Sequence, residues 1–264
     1  MPPRQTERRL RTVEVLGVRV HDVTYKEAID CILWHIATRV PAIVVTPNTE
    51  FVMQAQRDPD FRNVLNSAAL AIPDGIGLVL GSRLLGNRIR DHVRGTDLVE
   101  KLAAIAAVEG HRFFLLGAGE GVADLAARRL KARYPGLQVA GVYAGSPDVS
   151  QDNATRAAIR AAGKIDVLLV AYGARKQEQW MARNQATLGI PVAIGVGGAL
   201  DFFSGRAKRA PRWIRRLELE WLYRLLRQPS RWRRQLALPQ FAFLVLLAWL
   251  RAKLPGVARF PRQT

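Results

Sequence analysis

One cysteine in 264 residues, Cys31, is too few for an internal disulfide or a multi-thiolate metal site, and points to a reducing, cytoplasmic setting. The four histidines, His21, His35, His92 and His111, show no i, i+4 pair and no neighbouring cysteine, so the spacing of a zinc site is missing. Asp58-Pro59-Asp60 has a D-x-D spacing but opens a helix, which assigns it to capping; no metal is expected. A nicotinamide site is excluded in detail. Gly117-Ala118-Gly119-Glu120-Gly121 is followed by Val122 where the fingerprint needs glycine, and the next strand offers no acid for a ribose. No cofactor is implied. The apolar run Phe241–Leu250 holds ten residues, short of the roughly 20 that a spanning helix requires. Met1–Val15 has no apolar stretch behind its basic residues, which excludes a secretory signal there and leaves residues 1–12 as a flexible leader.

Acidic residues are scarce in one region only. Residues 206–264 hold 15 Lys/Arg against Glu218 and Glu220, so this stretch carries +13 of the formal +18. The first 205 residues have an ordinary balance. The basic character belongs to an appendage, and an appendage of that charge binds anions.

Between residues 13 and 205 the chain alternates short apolar runs with amphipathic segments. A hairpin is expected over 13–20, and Thr24 with Glu27 forms a capping box ahead of a helix to about Thr38. Strands are predicted at Ala42–Val45, Ala69–Ile72, Arg112–Leu116, Gln138–Val142, Ile165–Tyr172 and Val192–Val196, with helices from about Thr96 to Val108 and Val122 to Arg133. Apolar strands alternating with such helices predict an α/β, Rossmann-like, mostly parallel sheet covered on both faces, with a basic helical C-terminal appendage from residue 206. Ligands of such sheets bind beyond the carboxyl ends of the strands.

Three loops at those ends carry chemistry. Thr46-Pro47-Asn48-Thr49-Glu50 brings a hydroxyl, an amide and a carboxylate; Asn48 or Thr49 also suits a helix cap. Pro73-Asp74-Gly75-Ile76-Gly77 holds a carboxylate between proline and glycine. Asp-Gly is also a common turn, but at the mouth of the sheet Asp74 can accept a proton from an attacking hydroxyl, which makes it the general-base candidate. Gly173-Ala174-Arg175-Lys176-Gln177-Glu178 places cations and an amide at a helix start, suited to a phosphate or sugar, with Glu178 equally suited to complement the helix dipole. Gly117 and Gly119 can bring backbone N–H groups to a phosphate.

In the appendage, Pro211–Arg227 reads as one amphipathic helix with Ile214, Leu217, Trp221 and Leu225 along one side, where Leu217 and Trp221 suit core packing. The 241–250 run, with Trp249 inside it and Arg251 and Lys253 behind it, suits an anionic membrane surface. RNA or DNA would suit the charge but not the aliphatic stretch, so a nucleic-acid module is the weaker reading and no nucleic-acid partner is expected. A homo-oligomer is compatible with the sequence.

Taken together, Thr46-Pro-Asn-Thr-Glu-Phe-Val52, Pro73-Asp-Gly-Ile-Gly77, Gly95-Thr-Asp-Leu98, Lys176-Gln-Glu178, Gly195-Val-Gly-Gly-Ala-Leu-Asp-Phe202, Arg209-Ala-Pro-Arg212 and Leu219-Glu-Trp-Leu-Tyr-Arg-Leu225 resemble the WecG/TagA/CpsF family, glycosyltransferase family 26, over about residues 13–235. The resemblance implies an inverting transfer of an N-acetylmannosamine-type or related hexose unit from a UDP-sugar to a polyprenyl-diphosphate-linked glycan, at the inner face of the cell membrane. It implies Asp74 as base, Thr46 as a polar partner near the transferred sugar, and Gln177 as a pocket residue. Asn48, Gly75, Asp97, Lys176 and Glu178 join the substrate set, and Arg209, Arg212, Arg216 and Arg224 are expected to serve the diphosphate. Arg175 and Glu218 depart from the family's usual proline and glycine.

Overall fold

The computed structural model describes residues 10–253. The expected leader therefore lies outside the described residues up to residue 9, while Thr12, placed in that leader, already belongs to a strand. β1 (Thr12–Val15) pairs antiparallel with β2 (Val18–His21) around Leu16 and Gly17, both at positive φ. Alternation sends Val13, Val15, Val18 and Val20 inward. α1 (Tyr25–Thr38) starts at Thr24, whose side chain and that of Glu27 close the reciprocal capping box.

Six strands then form one parallel sheet: β3 (Ala42–Val45), β4 (Leu70–Ala71), β5 (Arg112–Gly117), β6 (Gln138–Tyr143), β7 (Val167–Ala171) and β8 (Val192–Gly195). Their order is β4-β3-β8-β7-β5-β6, and every pairing is parallel. Residues alternate between two cores. Val44, Phe113, Leu115, Val167, Leu169, Val192 and Ile194 face one, and Val45, Phe114, Leu116, Leu168, Val170 and Ala193 face the other. Burial on both sides is why these strands read as continuous apolar runs.

The first core is closed by α1, α5 (Gly95–Glu109), α6 (Val122–Arg133) and α9 (Ala199–Phe203). The hairpin, α2 (Thr49–Arg57), α3 (Pro59–Ser67), α4 (Ile76–Leu84), α7 (Asp152–Ala161) and α8 (Lys176–Leu188) close the second. Asp58 caps α3, accepting from the Phe61 backbone N–H, with Pro59 in the first turn as its spacing predicts. α4, for which no helix was expected, starts at Gly75 without a side-chain cap.

After α9, four further α-helices follow among the described residues: α10 (Arg212–Arg216), α11 (Glu220–Arg227), α12 (Trp232–Gln235) and α13 (Ala237–Lys253). The single amphipathic helix expected over 211–227 is in fact two. Glu218 adopts φ 60° between them, a left-handed conformation that no helix interior accommodates. Leu217 and Trp221 are exposed rather than packed on the core. The apolar run is also longer than its ten residues suggested. Trp232–Lys253 is helical and apolar enough, by length and composition alone, to cross a membrane. One side of it is committed elsewhere: Phe241 and Val245 are buried in the second core, against Gly81 of α4. A Cβ at Gly81 would stand 2.6 Å from Phe241 Cε1, so glycine is what lets the two helices approach.

Candidate functional site

The sheet order makes β4, β3 and β8 neighbours, so the loops leaving their carboxyl ends meet at one rim. Backbone bonds lace them together. The Ile72 N–H donates to the Val45 carbonyl at 2.8 Å and the Asp74 N–H to the Pro47 carbonyl at 2.9 Å. From β3, the Thr46 hydroxyl donates to the Gly195 carbonyl at the end of β8, at 3.3 Å.

Gly95, the first residue of α5, completes the pocket. A Cβ there would lie 3.1 Å from Thr46 Cγ2 and 3.4 Å from Asp74 Oδ2, so the two side chains converge on one point and glycine keeps it open. Asp74 is one-third exposed, accessible enough to receive a substrate hydroxyl. Gly75 has φ 132°, a backbone conformation that favours glycine, and it begins α4. Asp74 thus stands where α4 and α5 both begin, and helix N-termini favour negative charge in a ligand.

The other expected residues have mixed placements. Asn48 caps α2 through Oδ1, which accepts from the Phe51 N–H at 3.1 Å; its Cβ lies close to Gly75. Gly117, at φ 93°, has no room for a side chain against Ala171, and Gly119 faces Arg206, whose Nη2 donates to the Glu120 carbonyl. Lys176 is exposed at the start of α8, while Arg175 is engaged by Asp58 at 2.9 Å. Gln177 is buried beside the rim. Its Oε1 accepts from the Gly197 N–H at 2.9 Å and its Nε2 donates to Glu178 Oε1 at 2.7 Å.

Glu178 is fully buried in the first turn of α8, where its carboxyl meets the backbone N–H groups of Arg175 and Glu178 as an acid at a helix start does, away from solvent. It fixes which way the Gln177 amide points. Desolvation pushes its carboxyl up to about 7, against the opposing hydrogen bond from Gln177. The folded value lies above the unfolded one, so the unfolded chain loses this proton first. Stability contributed by the neutral acid is therefore full below pH ~4.5 and drains away as pH rises through about 7. Glu178→Gln keeps the shape and removes the titration. Its unfolding free energy relative to the wild type should rise by up to about 3 kcal/mol between pH 4.5 and pH 8. Urea denaturation at both pH values measures this; parallel behaviour of the two proteins would remove the buried acid from the account.

The C-terminal helices arrive over the same rim. Arg209 Nη1 donates to Asp97 Oδ1 at 2.6 Å, and Arg215 and Arg94 stand 3.6 and 3.9 Å from that carboxylate. Asp97 is thereby engaged as an anchor for the arriving chain. Burial, the largest influence, would lower Arg209, but the bond to Asp97 together with the charges of Asp97, Glu220 and Glu100 outweighs it and holds the guanidinium above its ordinary value. Arg224 lies 4.9 Å over the Phe202 ring and beside Gly198. Burial pulls its guanidinium below the ordinary range, with Glu220 and Asp74 acting the other way. Arg212 and Arg216 differ: among the described residues no carboxylate lies within 4 Å of either. With Arg94, Arg215 and Glu218 they line an open cleft of about 360 Å³.

Four residues of this region carried no assigned role in the sequence: His92, Arg94, Arg215 and Glu218. His92 and Arg94 sit in the irregular segment before α5, where no periodicity marks them. The available signal is two cationic-type side chains directly ahead of Gly95-Thr-Asp. Among the described residues no group of three or more His, Cys, Asp or Glu side chains stands together as a metal site would require.

A family model described as "Glycosyl transferase WecG/TagA/CpsF family" matches residues 13–255. The chain belongs to this family. It is 36% identical over 233 residues to an N-acetylglucosaminyldiphosphoundecaprenol N-acetyl-beta-D-mannosaminyltransferase of Bacillus subtilis (strain 168), covering 86% of this chain and 90% of that one. Identity is 37% over 205 residues to the enzyme of the same name from Bacillus spizizenii, covering 78% of this chain and 79% of the relative. A third, from Staphylococcus aureus (strain MW2), is 30% identical over 243 residues, covering 91% and 94%. This WecG/TagA/CpsF member is accordingly a glycosyltransferase of the hexosyltransferase type, on a Rossmann-like sheet.

Proposed function

We propose that this enzyme transfers an N-acetylmannosamine-type or related hexose unit, with inversion, from a UDP-sugar to a glycan carried on a polyprenyl diphosphate, for cell-surface polymer synthesis. The observation that carries the reading is the convergence of Thr46 and Asp74 at the rim, beneath a basic cleft supplied by the C-terminal helices. The relatives' names, which specify transfer of N-acetylmannosamine to N-acetylglucosaminyldiphosphoundecaprenol, support the acceptor class.

In the mechanism, Asp74 takes the proton of an acceptor hydroxyl as its oxygen bonds to the anomeric carbon. On the opposite face the bond from that carbon to the diphosphate oxygen breaks, and UDP leaves with the electron pair. Thr46 orients the transferred sugar. Gln177, buried with its amide fixed by Glu178 and Gly197, supports residues 195–197 at the end of β8 beneath the donor side. Guanidinium groups lining the cleft meet the charge that develops on the leaving diphosphate, where positive charge stabilises the transition state. Arg212 and Arg216 suit that task because no carboxylate neutralises them. Arg209 is occupied by Asp97 and holds the helices in place.

The same helices suit an anionic membrane surface at the inner face of the cell membrane. Trp213, Leu217, Trp221, Leu226, Trp232, Phe243, Leu246 and Leu250 are exposed among arginines, the composition that lies at a lipid interface. A panel of UDP-sugars offered with a short-chain prenyl-diphosphate N-acetylglucosamine tests the function. Product mass should rise by one hexose-type unit with one donor; no product with any UDP-sugar would overturn the reading.

A further inference from the structure

Glu218 is placed oddly for a surface carboxylate. It sits in the turn between α10 and α11 at φ 60°, a left-handed conformation that favours glycine. Both of its oxygens are used, and both partners lie more than 120 residues earlier in the chain. Oε1 accepts from Arg94 Nη2 at 2.6 Å, and Oε2 lies 2.9 Å from His92 Nδ1.

The far side of the imidazole determines what that second contact is. The Gly75 N–H lies 2.8 Å from His92 Nε2, and a backbone N–H can only donate. Nε2 is therefore the bare acceptor, the ring proton sits on Nδ1, and Nδ1–H donates to Glu218. His92 Nε2 also lies 3.8 Å from Asp74 Oδ1. A continuous chain thus runs from Glu218 through one defined tautomer of His92 to the peptide joining Asp74 and Gly75. Through Arg94, Glu218 grips the other flank as well. Arg94 immediately precedes α5, whose first residue, Gly95, abuts Asp74 and Thr46, and its Nη2 also donates to the Arg215 carbonyl at 2.9 Å.

We infer that Glu218 is a positioning residue: by fixing the His92 tautomer it sets the Asp74–Gly75 peptide, and so couples seating of the C-terminal helices to the aim of Asp74. The inference rests on the role proposed above for Asp74. With α10 and α11 seated, the carboxylate holds the proton on Nδ1 and leaves Nε2 free to take the Gly75 N–H. With them away, neutral His92 is free to move its proton to Nε2, where it can no longer accept from Gly75. The base would then be aimed only when the helices that cover it are in place.

The test uses the full-length enzyme and three proteins: wild type, Glu218→Ala and Glu218→Gln. In Glu218→Gln the one amide oxygen can still accept from Nδ1–H while the bond to Arg94 is given up, so this variant keeps tautomer control and loses both the charge and the Arg94 contact. Ring ¹⁵N chemical shifts of His92, assigned with a His92→Asn control, should report the Nδ1–H tautomer in the wild type and Glu218→Gln, and a shift toward Nε2–H in Glu218→Ala. Glu218→Ala should lower kcat by about 10- to 100-fold, a fraction of the effect of a lost base, with the donor KM within about threefold and near-native thermal unfolding. Glu218→Gln should recover most of that kcat. An unchanged tautomer or unchanged kcat in Glu218→Ala overturns the inference, as does a glutamine variant as slow as the alanine one. The tautomer readout needs no turnover, so a wild type inactive with every UDP-sugar would count against the proposed reaction and leave the ¹⁵N result to judge Glu218.

Discussion

Asp74→Asn should reduce kcat by about 10³-fold while leaving UDP affinity within about twofold, because an amide keeps the size of the side chain and loses only the capacity to take a proton. The local structure favours a clean experiment. Asp74 is held through its backbone, whose N–H donates to the Pro47 carbonyl, and the neighbouring Gly75 N–H is held by His92. Neither bond involves the carboxylate, so the asparagine variant should fold and bind donor as the wild type does. Product formation under saturating donor and acceptor gives kcat, and isothermal titration with UDP gives the affinity. A kcat within about tenfold of wild type would remove Asp74 from the base role and shift attention to a substrate-assisted proton transfer.

Much of the fold is legible because burial imposes short-range patterns. A strand buried on both faces must be a continuous apolar run, and β3, β5 and β8 stand within a residue of where such runs place them. The capping box at Thr24 and the Asp58-Pro59 start are local chemistry and read directly. α4 was not legible: Ile76-Gly-Leu-Val-Leu-Gly81 carries two glycines, poor helix formers, and its glycine at 81 answers to Phe241 at the far end of the chain. The break at Glu218 was hidden for a related reason, since an amphipathic period continues through it while two partners remote in sequence favour the turn.

The same division runs through the site. Thr46 and Asp74 follow strands, so the rule for parallel sheets puts both at the rim without any knowledge of contacts. Which side chains are already engaged is another matter, because pairing spans more than 100 residues. Asp97, expected in the substrate set, is occupied by Arg209, and Glu178, expected in the same set, is removed from solvent by burial. Composition identifies an arginine-rich segment; only the three-dimensional pairing separates arginines that fasten the segment from those left free to meet an anion.

That separation leads to the second large effect. Replacing Arg212 and Arg216 together with alanine should lower kcat/KM for the prenyl-diphosphate acceptor by about 10²- to 10³-fold, the scale expected when positive charge is removed from a developing anion. Arg209→Lys serves as the contrast. A lysine can still reach Asp97, though as a point charge rather than a planar fork, so seating of the helices should weaken modestly and turnover fall far less. Ionic strength supplies an independent check. The cleft formed by Arg94, Arg212, Arg215 and Arg216 is open to solvent, so attraction of a diphosphate into it is screened over about 8 Å at physiological salt. The wild-type kcat/KM should therefore fall as salt rises from about 50 to about 300 mM, and the double variant should show a flatter dependence. Equal salt slopes in the two proteins would mean that the diphosphate is met elsewhere, with Arg224, which lies by Gly198 and feels the charge of Asp74, the next residue to test.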